Sequence, residues 1–240
     1  MNLAETNLGL TDIHAHFLWG IDDGPAKPEG MYQLIRDAHS QGIVRFTATP
    51  HVRPGYRPFD AGKYRDRLHE AREFCRAQNL DMEIIAGAEV AWTYQTAYAL
   101  RQRTIPTLGE TDYVLLELGC DITLQEAYSA VRSVEGAGYL PVLAHVERCR
   151  CFAWAPWQAL RFREKTGALF QMNADTVLRP RGLVEKYFRN LMIRERAIDV
   201  VASDAHGGAG RPVNLRRAYN WLLAHTDQEY AGLLTCFSYE

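Results

Sequence analysis

The sequence has no apolar run approaching the roughly 18 residues that a membrane-spanning helix needs. That excludes a conventional transmembrane segment. It has no surplus of either charge: 27 Lys and Arg against 29 Asp and Glu leave a formal net charge of −2. The clustered excess of cations that marks a nucleic-acid binder is missing. Met1–Leu10 lacks a basic start followed by an apolar stretch, so no signal peptide is expected and the cytoplasm is the expected compartment. Cysteine is scarce and odd in number. Cys75, Cys120, Cys149, Cys151 and Cys236 read as reduced thiols, not as a disulfide framework. Cys149 and Cys151 form one C-x-C with no second pair, which argues against a thiolate zinc site. No linker, low-complexity tract or repeat divides the chain, so one domain over residues 1–240 is expected.

What is present is alternation. Short apolar runs rich in β-branched residues recur at Leu10–Ile13, Ile43–Thr49, Met82–Ala88, Tyr113–Leu118, Leu140–Ala144, Ala168–Met172 and Asp199–Ala202. They are nearly continuous rather than strictly alternating, which predicts strands buried on both faces of a parallel sheet. Between them lie helical patterns: Glu29–Gln41, Tyr64–Gln78, Leu124–Gly136, Trp157–Thr166, Leu183–Arg196 and Leu215–Ala224. In the first, Met31, Leu34, Ile35 and Ala38 share one stripe and Gly42 follows as a stop. Repeated βα units predict an α/β fold, either a barrel or a doubly wound sheet. The Pro- and Gly-rich segment Val52–Gly62 is a loop placed to overhang a site.

Each predicted strand ends in a residue that can bind a metal or a ligand. The first runs into Asp12-Ile13-His14-Ala15-His16 and the second into His51. The third reaches Glu89, the fourth Glu117, the fifth His145, the sixth Asn173 and the seventh Ser203-Asp204-Ala205-His206. In a closed parallel barrel all these ends meet on one face. One such residue is ordinarily a hydrogen-bonding cap; seven in register point to a metal centre. Imidazoles and carboxylates without thiolates suit Mn²⁺, Fe or Zn²⁺. His14 and His16, two apart on an extended segment, face one way and can chelate one ion.

The spacing His14-x-His16, Asp22, His51, Glu89, His145 and Asp204-x-His206 resembles the PHP (polymerase and histidinol phosphatase) superfamily. Within it the chain is similar to the bacterial protein-tyrosine phosphatases of capsule and exopolysaccharide gene clusters. That likeness is carried by Ile21-Asp22-Asp23-Gly24-Pro25, Gly87-Ala88-Glu89, Ile105-Pro106-Thr107-Leu108, Ala144-His145-Val146-Glu147-Arg148 and Gly210-Arg211-Pro212, over residues 10–222. The resemblance implies a distorted (β/α)7 TIM-like barrel, the PHP fold, with three divalent ions, usually Mn²⁺. It implies a first ion on His14, His16, Glu89 and Asp204. Glu89 would bridge to a second on Glu117 and His145, and Asp22, His51 and His206 would hold a third. Arg148 and Arg211 would grip the phosphate. The implied substrate is a phosphotyrosine protein, a bacterial tyrosine kinase with a tyrosine-rich tail. A homo-oligomer stays open. After Trp221 the likeness fades, and Thr235–Glu240 reads as a truncated or divergent end.

The chemistry is consistent with that. Bound divalent ions lower the pKa of water from about 15.7 to about 7 and neutralise phosphoryl charge. Arginines supply planar donors matched to phosphate. Cys75, Cys120, Cys149 and Cys151 are followed six residues later by Asp81, Glu126, Ala155 and Trp157, so the C-x5-R cysteine route is excluded. Glu147 and Asp175 are the available acids, and neither stands out as a proton donor. Phe17, Trp19, Tyr56, Trp92 and Tyr94 are either packing residues or walls of a phosphotyrosine cleft. Two other readings stay open: a small-molecule phosphatase of the histidinol-phosphate type, and a non-catalytic or nucleic-acid-directed module.

Overall fold

Nine strands and ten α-helices follow one another through the residues described by the computed structural model, 9–208 and 210–239. The order begins β1 (Leu10–Ala15), α1 (Pro28–Ser40), β2 (Ile43–Ala48), β3 (His51–Val52), α2 (Ala61–Ala77), β4 (Glu83–Ala86) and β5 (Glu89–Ala91). It continues with α3 (Thr96–Arg101), β6 (Tyr113–Glu117), α4 (Leu124–Glu135), β7 (Leu140–Leu143), α5 (Arg150–Ala153), α6 (Pro156–Thr166) and β8 (Leu169–Asn173). The chain closes with α7 (Ala174–Leu178), α8 (Gly182–Arg194), β9 (Val200–Ala202), α9 (Leu215–His225) and α10 (Gln228–Thr235). Local signals fix the ends. Pro28 starts α1, Asp60 caps α2 by accepting from Lys63 N at 2.9 Å, and Thr123 and Glu126 form a reciprocal capping box on α4. Among the described residues no helix is long and apolar enough to cross a membrane.

All strand pairs are parallel, in two sheets ordered β1-β2-β4 and β3-β5-β6-β7-β8-β9. The predicted second and third strands each break, at Thr49–Pro50 and Gly87–Ala88, so that one half pairs in each sheet. Pro50 has no N–H to give to a ladder, while its carbonyl accepts from Glu89 N at 3.1 Å. Gly87 packs so closely that a Cβ there would lie 2.9 Å from Thr47 Cγ2. The ring closes at the strand ends: Asp204 N donates to His14 O (2.8 Å) and His16 N to Ala205 O (2.7 Å). Counting each broken strand as one, seven units make the distorted barrel that was expected.

Ile13, Leu115, Val142, Val200 and Ala202 form one apolar cluster with Leu108 and Phe237. Val114, Leu116, Leu143, Phe170 and Val201, their strand neighbours, pack outward with the helices. The α1 stripe Met31, Leu34, Ile35 and Ala38 is buried as its spacing predicts. The expected divergent end is corrected here, Glu240 itself lying outside the described residues. Asp227 caps α10, Cys236 bridges Thr11, and Phe237 is only 9% exposed within the barrel cluster. Tyr239 reaches Thr47 through its hydroxyl. Phe237 and Tyr239, two apart, present one extended face to the barrel, a signal too short to read as a strand. Replacing Phe237 by Ala should cost about 3 kcal/mol of stability in urea denaturation. An unchanged midpoint would remove the tail from the folded core.

Candidate metal centre

The strand ends converge on Glu89, which begins β5 and is 1% exposed. His14 and His16, both buried, lie on the same side of β1 and its extension. Their Nε2 atoms are 3.1 Å apart. They lie 3.4 and 3.2 Å from Glu89 Oε2, and 3.5 and 3.6 Å from Asp204 Oδ1. Donors about 2.1 Å from a shared ion stand at about such separations. The second oxygen, Glu89 Oε1, meets His145 Nε2 at 2.7 Å, and His51 Nδ1 approaches Oε2 at 2.9 Å. His51, Glu89 and Glu117 form one further group of closely spaced ligand atoms, and His16, Asp23, His51 and His206 another. His145 and Asp204 sit at φ +31° and +52°, left-handed values uncommon for residues other than glycine. This turn redirects the chain where it leaves β7 and β9.

Polar neighbours fix how the imidazoles point. His14 Nδ1 pairs with Gln171 Oε1 at 3.1 Å and His16 Nδ1 with Asp22 Oδ2 at 2.7 Å, which turns each Nε2 toward the centre. Gln171 also receives His145 N (2.8 Å) and donates to Asn173, whose amide reaches Asp204 Oδ2 at 2.9 Å. Arg148 grips that same oxygen at 2.6 Å. Arg211 contacts Asp23 Oδ2 at 3.2 Å and His206 Nε2 at 2.7 Å.

The nine predicted positions divide eight to one by where they fall. His14, His16, His51, Glu89, Glu117, His145, Asp204 and His206 all fall in or against the groups described. Asp22 does not. Its oxygens are taken by His16 Nδ1, His51 N (3.0 Å) and Gly24 N (3.1 Å), and the adjacent Asp23 joins His51 and His206 instead. The turn that carries both aspartates is tight: a Cβ at Gly24 would fall 2.1 Å from His16 O, so only glycine fits there. Asp23 and Gln171 were both missed, though a glutamine inside the apolar β8 run was a visible signal. Phe17 stacks on Phe46 at 4.3 Å and Trp19 lies under Arg67 at 3.5 Å, so both are packing residues. Tyr56 alone of the five aromatics lines the cleft beside the centre. Glu147 is buried on Asn173 N (3.0 Å) and Thr176, and Asp175 pairs with Arg179 at 3.3 Å.

The electrostatics suit cations. Burial pushes Glu89 up, but the imidazoles of His14, His145 and His16 outweigh it and hold the carboxyl well below its usual range. Asp204 is likewise held low, against burial, by His14 and Arg148. Burial pushes His16 down, yet its hydrogen bond to Asp22 and the nearby Glu89 carboxylate raise it to about 10. His206 is pushed down to about 4 by burial and by His16. Glu89 Oε2 is buried without a hydrogen-bond partner, although three imidazole nitrogens surround it. An oxygen so placed fits a bound metal, and the nitrogen-and-oxygen donor set fits Mn²⁺, Fe or Zn²⁺.

The sequence matches, over residues 10–238, the family model described as capsular polysaccharide synthesis, CpsB/CapC. The match carries the likeness past Trp221 to the barrel tail. The tyrosine-protein phosphatase CpsB of Streptococcus pneumoniae is 28% identical over 226 residues, covering 88% of each chain. Crystal structures of YwqE from Bacillus subtilis and CpsB from Streptococcus pneumoniae, described as unique metal-dependent tyrosine phosphatases, superpose with a TM-score of 0.82 at 26% identity, over 92% of this chain and 90% of the other. The lactonase Lmo2620 from Listeria monocytogenes shares the fold, with a TM-score of 0.64 at 11% identity over 98% and 96% of the two chains.

The His16–Asp22 pair makes a pH-dependent contribution to the stability of the metal-free protein. His16, raised from 6.5 to about 10, stabilises fully below pH 6.5 and loses that contribution as pH rises toward 10. For Asp22, burial pushes upward but His16 and the His51 amide hold it at about 2 instead of 3.8; its contribution is lost as pH falls from 3.8 toward 2. That contribution is fullest between pH 3.8 and 6.5, so in chelator the urea midpoint should fall as pH rises above it. Excess Mn²⁺ should flatten the alkaline fall by replacing protons. A chelated midpoint that stays level from pH 6 to 9 would count against this account.

Proposed function

This chain belongs to the CpsB/CapC capsular polysaccharide synthesis family, and from that premise we propose that it hydrolyses phosphotyrosine on protein with divalent cations. The observation that carries the reading is the buried Glu89 carboxylate ringed by His14, His16, His51 and His145, with Arg148 and Arg211 at its edge. His14, His16, Glu89 and Asp204 would hold one ion. Glu89, Glu117 and His145 would hold a second, and Asp23, His51 and His206 a third. Mn²⁺ is the proposed metal. When bound, such ions supply a water of lowered pKa and neutralise phosphoryl charge.

The protein's own groups do the rest. Asp204 and Asp23 each pin one edge of Arg148 and Arg211, leaving the remaining N–H donors for phosphoryl oxygens. Asp22 and Gln171 keep the imidazoles oriented. A tyrosyl leaving group, with a pKa of about 10, needs less help from an acid than a seryl alkoxide. That matches a site where Glu147 is occupied elsewhere. The cleft beside the centre, about 780 Å³, suits a chain segment better than a closed small-molecule pocket does. The proposed partner is the tyrosine-rich tail of a bacterial tyrosine kinase governing capsule or exopolysaccharide synthesis, and the proposed compartment is the cytoplasm.

Stripped of metal, the protein should not hydrolyse p-nitrophenyl phosphate; Mn²⁺ should restore activity and thiol alkylation should leave it unchanged. Full activity in chelator sinks the proposal. Glu89→Gln and Asp23→Asn should each lower kcat by about 100-fold or more, whereas Asp22→Asn should cost about 10-fold, mostly through metal affinity. Arg148→Ala should cost about 100-fold in kcat/KM. A kcat/KM for histidinol phosphate far above that for a phosphotyrosine peptide would overturn the substrate assignment.

A further inference from the structure

Asp23 and His51 of the metal centre also form part of the wall of the 780 Å³ cleft, so a molecule lying there abuts the place where phosphate is bound. The rest of that wall mixes apolar residues with two aspartates, Asp22 and Asp60, and three cations. Arg53, Arg57 and Lys63 line it, all exposed. Arg53 lies 6.0 Å from the ring of Tyr56, and among the described residues neither it nor Arg57 forms an ion pair. Lys63 Nζ donates to a carbonyl, Gly20 O, and not to a carboxylate. The acids of the cleft are committed: Asp60 caps α2, Asp22 holds His16, and Asp23 faces His206 and Arg211.

The turn that carries the two arginines is anchored. Thr93 Oγ1 donates to Pro54 O at 2.9 Å, and Arg53 O accepts from Tyr56 N at 3.1 Å. Gly55, at φ +83°, packs against the Gln95 side chain. Scattered exposed cations are ordinarily just solvated. Here three share one concave wall, contiguous with a centre built for phosphate, in a chain whose net charge is −2. Such a wall gains from a second anion on the same substrate, because charge-assisted contacts gain strength in a cleft.

We propose that this cleft is a second anion subsite, selecting phosphotyrosyl peptides that carry another negative group, a carboxylate or a second phosphate, close to the scissile residue. The inference rests on the phosphotyrosine reading above. An extended peptide advances about 3.3 Å per residue, so side chains within two or three positions reach the wall.

The test uses the Mn²⁺-loaded protein and its Arg53→Gln/Arg57→Gln variant. The substrates are p-nitrophenyl phosphate, a phosphotyrosine peptide with neutral flanks, one with flanking glutamates and one with a second phosphotyrosine. The unaltered protein should prefer the charged peptides by about tenfold in kcat/KM, mostly through KM, and less so in high salt. The variant should lose that preference while handling p-nitrophenyl phosphate and the neutral peptide as before. Preference for both charged peptides assigns the wall to anions in general; preference for the doubly phosphorylated one alone assigns it to phosphate. Turnover of the neutral peptide without any preference overturns the subsite and leaves the phosphatase reading standing. Turnover of p-nitrophenyl phosphate but of no peptide overturns both. A variant equally slowed on p-nitrophenyl phosphate also overturns the subsite, since the arginines would then serve the chemistry.

Discussion

The burial of Glu89 is the constraint on which the rest of the structure depends. A carboxylate that is 1% exposed, with one oxygen lacking any hydrogen bond, is tolerable only among positive neighbours. Four imidazoles reach it, from β1 and its extension, from β3 and from the turn after β7. Those elements can meet only if the barrel closes at its carboxyl end, which is where the hydrogen bonds between residues 14–16 and 204–205 close it. The breaks at Thr49–Pro50 and Gly87–Ala88 serve the same end. They let His51 and Glu89 pair in register, β3 against β5, while the lower halves of those strands continue in another sheet.

Much of this was legible because burial on both faces writes itself into composition. Runs such as Tyr113–Leu118 and Leu140–Ala144 cannot be amphipathic strands, and a polar residue at the end of each marks where the apolar core stops. The breaks were not legible, since a β-branched run reads alike whether it pairs in one sheet or two. Nor was the choice between Asp22 and Asp23. The two are adjacent and chemically identical, and only the folded contacts separate them: Asp22 holds His16 Nδ1 and two backbone amides, while Asp23 joins His51 and His206. The short helices α3, α5 and α7 have too few residues to establish a period. Phe237 and Tyr239 contribute to the core through two side chains, which is below the length at which alternation is informative.

Gln171 and Asp22 show why a list of ligands describes the centre incompletely. Each holds the Nδ1 side of an imidazole, so that only Nε2 is presented. Gln171 does this from inside β8, where it also ties His145 N and, through Asn173, Asp204. One buried amide thereby links elements that contribute to more than one of the candidate ion sites. An apolar residue there would leave three polar groups unsatisfied in the interior, a cost beyond that of losing a single bond.

Charge explains why protons and metals compete for this ring. Asp22, Asp23, Glu89, Glu117 and Asp204 set five negative charges against the two of Arg148 and Arg211, so with neutral imidazoles the centre carries three surplus negative charges. A phosphomonoester, itself nearly dianionic, would be repelled. Protonation of His14 and His16 relieves the surplus only in part, and it occupies the Nε2 atoms that the geometry directs inward. The three divalent ions proposed above would reverse the sign to three positive while leaving the imidazoles neutral. The same arrangement that makes the cation-free ring hold protons so tightly thus makes the loaded ring attract phosphate. In the proposed role, the arginines outside it, already pinned by carboxylates, would need no reorganisation to receive a phosphoryl group.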